Sequence, residues 1–207
     1  MLRLAISELS QAYHRKYVFK GITLERTTEQ HLAILGSNGS GKSTLLKTLT
    51  GALVPFGGTV VMEKNGAAIA EENQFQYLSL AAPYLELIEE YTLIEFLKFY
   101  TKLKPLRADF SIERLIQEAY LEEAKDRELR YFSSGMKQRV KLALAFFTDC
   151  PFVFLDEPLS NLDKRGCDWY QSLTEKYTKG RLFFVCSNET EAEYAFCASS
   201  IRIEDFK

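Results

Sequence analysis

Residues 36–44 read GSNGSGKST, set between an apolar run, HLAIL (31–35), and a leucine-spaced stretch that closes at Gly51. This fits the pattern G-x-x-x-x-G-K-[ST], and no other segment constrains the fold as strongly. Glycines let a loop curl until consecutive backbone N–H groups point inward, and the N-terminus of a following helix adds partial positive charge. The product is a cradle for phosphates, built from Gly36, Ser37, Asn38, Gly39, Ser40, Gly41, Lys42, Ser43 and Thr44. Lys42 is placed to reach the β and γ phosphates of a nucleotide, and the Ser43 hydroxyl to ligate Mg2+. A Gly/Ser turn that happens to precede a lysine is the competing reading. Chance gives such a match in a chain this long at roughly 1%, before the strand and helix on either side are counted.

The cradle needs a metal partner, and FVFLD (152–156) supplies one: four apolar residues of a buried strand that end in a carboxylate. The carboxyl edge of such a strand is where sheets of this kind bind ligands, so Asp156 is expected to hold Mg2+. Glu157, one residue on, is placed to take a proton from a water that attacks the γ phosphate. The competing reading makes Asp156 and Glu157 a solvated turn before Pro158, but this leaves an apolar strand aimed at them unexplained.

With 207 residues the chain has room for one compact domain with a full core. Its formal charge of −2, with 26% charged residues, lacks the basic excess that grips phosphate backbones, so no nucleic acid is expected as a partner. No stretch of some 18 apolar residues runs without a charge, and the opening MLRLAISEL alternates instead of forming the apolar block of a signal peptide. The chain is therefore expected neither to cross a membrane nor to be secreted by that route. Its four cysteines, Cys150, Cys167, Cys186 and Cys197, show no C-x-x-C spacing and read as reduced, packed thiols of the cytosol.

Strand-like runs occur at residues 2–6, 17–24, 31–35, 59–62, 152–155, 181–186 and 201–203. Those at 31, 152 and 181 are short and nearly all apolar, as parallel strands buried on both faces should be. Helices are expected over 84–101, 111–124 and 136–147, with Pro105 breaking the first two apart. These two sit together, away from the strand signals, which suggests a helical lobe inserted into an α/β core.

Between the two phosphate motifs lies YFSSGMKQRV (131–140), and DEPLSNLD (156–163) follows. In this order the four motifs resemble those of the nucleotide-binding subunit of an ATP-binding cassette (ABC) ATPase, over almost the whole chain. The resemblance implies an α/β P-loop NTPase fold: a mostly parallel sheet core, an N-terminal antiparallel β subdomain and an inserted α-helical subdomain. Residues 1–80 and 134–207 would form the core and 81–133 the helical part. It also implies ATP and Mg2+ as ligands.

By the same resemblance, Ser133, Ser134, Gly135 and Met136 stand at the family's signature. Physically they are a helix N-terminus capped by Ser133 or Ser134, and in the family this tip touches the γ phosphate held by a second subunit. Two chains, a homodimer, would then close head to tail over two ATP molecules. Asp163 matches an aspartate at the dimer seam, and Tyr13 the aromatic that stacks on adenine, with Tyr17 and Phe19 as neighbours of similar type.

Three positions depart from the family pattern. Its switch histidine is replaced by Asn188, which can donate an amide hydrogen bond to a γ phosphate but carries no charge. The chain's two histidines, His14 and His31, read as surface or strand residues. The family's glutamine after the strand that enters the helical lobe has only Leu80 or Ala81 near its expected place. In the signature, Ser134 replaces glycine and Met136 replaces glutamine.

The segment PYLELIEEYTLIEFLKFY (83–100) carries large apolar residues on nearly every helical face, and in the family this lobe receives a helix of a membrane subunit. Taken singly, Leu85, Ile88, Leu93, Phe96, Leu97 and Tyr100 read as core. The function expected is a cytoplasmic ATPase subunit, peripheral at the inner face of the membrane, that powers a separate integral permease. The alternatives are a soluble ABC-type ATPase of translation or DNA repair, and an ATP-sensing module with little hydrolysis; a P-loop kinase of small metabolites ranks last.

Overall fold

A computed structural model describes residues 1–207. The first element, β1 (Leu2–Tyr13), alternates Leu2, Leu4 and Ile6 inward, which is the period-2 signal of a strand with one buried face. It pairs antiparallel with β2 (Lys16–Thr27) across a two-residue turn, where His14 and Arg15 both take positive φ, 48° and 65°, as the right-handed strand twist demands.

The chain continues through β3 (Leu32–Leu35), α1 (Lys42–Leu49), β4 (Gly57–Lys64), β5 (Ala67–Ala68) and β6 (Leu78–Ala81). It then runs through α2 (Leu93–Leu103), α3 (Ile112–Glu118) and α4 (Ser134–Phe147). The last elements are β7 (Phe152–Asp156), α5 (Lys164–Tyr177), β8 (Leu182–Ser187), α6 (Glu191–Tyr194) and β9 (Ser199–Arg202). One sheet is antiparallel, in the order β2-β1-β4-β5, and the other is a five-stranded parallel sheet in the order β6-β7-β8-β3-β9.

Every residue of β3, β7 and β8 is buried. Alternate side chains enter two cores. Phe152, Phe154, Phe184 and Cys186 face α1 and the antiparallel sheet, whereas Val153, Leu155, Phe183 and Val185 face α2 to α5. Each fully buried phenylalanine or leucine contributes about 1.5–3 kcal/mol relative to exposure. A run apolar at every position is thus the sequence image of a sheet with helices on one face and a second sheet on the other. His31, expected as a surface or strand residue, is buried just before β3; its Nδ1 accepts the Phe183 N–H and its ring meets Phe183 and Phe196.

Two expected helices differ from those formed. Helix 84–101 begins only at Leu93, after a capping box between Thr92 and Glu95. The preceding residues cannot join it, because the carbonyls of Glu89 and Tyr91 accept the N–H groups of Arg130 and Leu129. Helix 111–124 is α3 alone, broken where Tyr120 takes φ 56°, and followed by a 3-10 turn at 122–124. The helix expected at 136–147 starts two residues earlier, at Ser134. One further helix, α5, follows the spacing of Trp169, Tyr170, Leu173 and Tyr177, all buried on its inner side.

At its far end α4 is held by Arg181, whose buried guanidinium donates to the carbonyls of Ala145, Phe146 and Cys150 at 3.0, 2.9 and 2.9 Å. A cation on the last carbonyls satisfies groups that a helix terminus leaves unpaired. No helix is long and apolar enough to cross a membrane.

Candidate active site

Three segments leave the carboxyl edge of the parallel sheet side by side: the loop 36–41 after β3, Asp156 and Glu157 at the end of β7, and residues 187–190 at the end of β8, the strand between the other two. The loop leads into α1 through Gly41 at φ 117°, a conformation closed to side-chain-bearing residues. A Cβ there would also lie 2.5 Å from Val18 Cγ1 on β2. Four helices carry a side-chain oxygen on an N-terminal N–H: Thr92 for α2, Ser111 for α3, Ser133 for α4 and Asp163 for α5. In α1 no side chain does so, and its first turn holds no acid. Its leading N–H groups are left for an external acceptor.

Asp156 is 1% exposed, and both carboxylate oxygens are buried without a hydrogen-bond partner. Burial pushes its carboxyl above the usual carboxylate range; Ser43, close by though not in hydrogen-bonding geometry, works against this, while the Glu157 charge adds to it. Lys42 and Lys47 pull it back. Two buried, unsatisfied anionic oxygens are costly, and a hard cation held by Asp156 and the Ser43 hydroxyl removes that cost. The donor set therefore fits Mg2+.

Lys42 is 5% exposed, and its ammonium donates to the Gly36 and Ser37 carbonyls at 2.8 and 3.0 Å. Phosphate oxygens can replace these carbonyls, so the loop satisfies its own lysine until an anion arrives. Glu157 has φ 44°, a strained value for a side-chain-bearing residue, while its N–H is tied to the Cys186 carbonyl at 2.9 Å. Together with Val18, Asn38, Gly39, Gly41, Lys42, Ser43 and Thr44 it lines a cleft of ≈ 260 Å³.

A second cleft, of ≈ 400 Å³, is lined by Ser133, Ser134, Gly135, Met136, Arg139, Asn161, Leu162 and Asp163, and shares no residue with the first. Of the two candidate caps for α4, Ser133 is the one that acts, accepting the Met136 N–H at 3.2 Å. Gly135 packs so closely that an added Cβ would stand 2.8 Å from the Asn161 carbonyl oxygen. Asp163 accepts the Gly166 N–H at 2.8 Å and the Arg139 guanidinium at 3.0 Å, and the Gly166 bond first of all holds its carboxyl below the usual range.

The remaining expected residues lie apart from the first cleft. Tyr13 is half exposed at the end of β1, and the β-sheet residue that lines the cleft is Val18. Asn188 is exposed one residue beyond β8. Leu80 and Ala81 are strand residues of β6, with apolar side chains packed in the two cores, and neither lines the cleft. Tyr84 lies beside α1: the Lys47 ammonium is 4.0 Å from its ring centroid, and burial, with the Asp156 charge adding to it, pushes its phenol up. Sequence reasoning missed Tyr84 because it looked within the strand rather than past Pro83, where the chain turns back toward α1.

A family model described as ABC transporter matches residues 19–160. The uncharacterized ABC transporter ATP-binding protein YybJ of Bacillus subtilis (strain 168) is 30% identical over 166 residues, covering 79% of this chain and 75% of that protein. The human retinal-specific phospholipid-transporting ATPase ABCA4 is 30% identical over 165 residues, 78% of this chain, yet the chain spans only 7% of that protein's length. Among solved structures, a dimeric ATP-binding cassette in a post-hydrolysis state bound to ADP and Pi superposes with a TM-score of 0.81 at 19% identity, over 97% of this chain and 94% of that one.

Proposed function

The chain belongs to the ABC transporter family, and on that premise we propose that it is an ATP-binding and ATP-hydrolysing subunit that powers a separate transmembrane permease. The observation that carries the reading is the pair of orphaned Asp156 oxygens beside the uncapped N-terminus of α1. Residues Gly36 to Thr44 cradle the triphosphate, and Lys42 transfers its ammonium from loop carbonyls to the β and γ phosphates. Ser43 and Asp156 would hold Mg2+, which when bound would neutralise charge on the phosphates. Glu157 accepts the proton of the attacking water, and Asn188 donates an amide hydrogen bond to the γ phosphate. Tyr13 stacks on the adenine from the hairpin.

Because the Ser133–Met136 tip opens on a cleft of its own, it serves a nucleotide bound by another copy, so two chains close head to tail with Asp163 at the seam. In this reading residues 1–80 and 134–207 form the nucleotide-binding core, and 81–133 the helical lobe. That lobe leaves Tyr91, Phe99 and Leu103 exposed, Leu103 at 60%, and this apolar surface receives the permease. The subunit thereby sits on the cytoplasmic face of the membrane.

Glu157→Gln tests the enzymatic core. Phosphate release should fall at least a hundredfold while ATP drives the variant into dimers on size exclusion. Undiminished turnover removes Glu157 as the base. Dimers without any phosphate release in the natural protein favour the ATP-sensing alternative, to which the uncharged Asn188 points.

A further inference from the structure

The first residues of the phosphate loop are gripped from outside the motif. After β9 the chain makes a 3-10 turn, Ile203–Phe206, that lies against β2 and the loop. There Glu204 Oε1 accepts both the N–H of Ser37, at 2.9 Å, and its hydroxyl, at 3.0 Å, across 167 residues of sequence. Glu204 Oε2 is buried with no partner, as is Ser40 Oγ. A Cβ at Gly36 would lie 2.7 Å from both atoms and 2.7 Å from Ile203 Cγ2, so loop and turn are pressed together without room for a methyl group. Ile203 is wholly buried and anchors the turn in the core shared with α1. The Ser37 N–H holds the Glu204 carboxyl below the usual range, so it is ionised where the protein works.

A carboxylate beside a phosphate cradle opposes anion binding through its charge, and it stands here in spite of that cost. Its contacts favour a loop already curled before the nucleotide arrives, which lowers the ordering cost of binding. Two residues upstream, Arg202 pairs with Glu189 at 2.7 Å, so the same segment also reaches the loop that carries Asn188.

We propose that Glu204 is a positioning residue for the phosphate loop, a latch that fixes Ser37 and with it the curl of residues 36–41 in the nucleotide-free protein. The proposal rests on the ATP-binding reading above. Amide hydrogen exchange of the full chain without nucleotide, and titration with MgATP, test it on Glu204→Ala, Glu204→Gln and Ser37→Ala. Glu204→Ala should speed exchange at Ser37 and its neighbours and weaken ATP binding about tenfold. Glu204→Gln keeps an acceptor oxygen, so it should keep slow exchange and bind ATP at least as well as the natural protein. Ser37→Ala, which retains the N–H bond, should fall between them and serves if Glu204→Ala does not fold. Unchanged exchange at Ser37 in Glu204→Ala, or equal weakening in the Ala and Gln variants, overturns the latch. Failure of the natural protein to bind MgATP sinks the ATP-binding reading instead, and leaves the exchange result to judge the latch alone.

Discussion

Ser187, the last residue of β8, gives its hydroxyl hydrogen to the buried carboxylate of Glu193, whose other oxygen accepts the Leu159 N–H at 3.1 Å. One acid thereby ties the segment that follows Asp156 and Glu157 to the segment that bears Asn188. Glu193 is 4% exposed, its own carbonyl accepts the Tyr170 hydroxyl at 2.7 Å, and burial raises its carboxyl above the ordinary range.

Removing that acid should cost more than neutralising it. Glu193→Ala leaves the Leu159 N–H buried without an acceptor and the Ser187 hydroxyl with only the Thr190 carbonyl, and should destabilise the protein by about 1–3 kcal/mol in urea unfolding. Glu193→Gln keeps an acceptor for Leu159, and Ser187 can turn to the Thr190 carbonyl at 3.4 Å. Because the folded carboxyl is raised, the native state holds its proton longer than the unfolded chain does. Stability from this group is thus present at low pH and declines as pH climbs from the ordinary value of 4.5 through the raised one. Glu193→Gln should flatten that decline; an unchanged pH profile refutes the assignment.

Asp156 follows the same sign for a functional reason. Its ionised form is disfavoured by burial in the nucleotide-free protein, so Asp156→Asn should raise Tm at neutral pH. The gain should shrink as pH falls from the raised value and be lost below 3.8, where the natural carboxyl is protonated in both states. MgATP should then stabilise the natural protein and fail to stabilise the variant. A lower Tm for Asp156→Asn at neutral pH contradicts the claim that this site trades stability for ligand binding.

Gly135 has no room for a side chain against the Asn161 carbonyl. Gly135→Ala should displace the Ser133 tip from the loop before α5, cost about 1–3 kcal/mol and abolish the ATP-driven dimer of the Glu157→Gln background. Retention of that dimer would show that the tip does not meet a second molecule's nucleotide.

Asn188→His supplies a cationic donor at the end of β8 and should raise ATP turnover several-fold, more at pH 6 than at pH 8, because imidazole charges below about 6.5. Steady-state phosphate release gives the answer; no gain at either pH means that Asn188 does not limit the reaction.

Features that depend on local chemistry are legible in the order of residues alone. The glycine-and-lysine loop after an apolar strand, the carboxylate closing FVFLD and the serine before α4 are each legible because strand, loop and cap chemistry act over a few residues. The same locality explains why the all-apolar runs at β3, β7 and β8 read correctly as parallel strands covered on both faces. Tertiary structure decided what distant segments do to one another. Carbonyls claimed by Arg130 and Leu129 delayed α2 to Leu93, against a helical pattern that began at 84. Tyr84 beside Lys47, Glu193 between Ser187 and Leu159, and Glu204 on Ser37 are pairings across gaps of 6 to 167 residues. No periodicity records such meetings, because they arise only where the sheet order sets the ends of β6, β7, β8, β3 and β9 side by side.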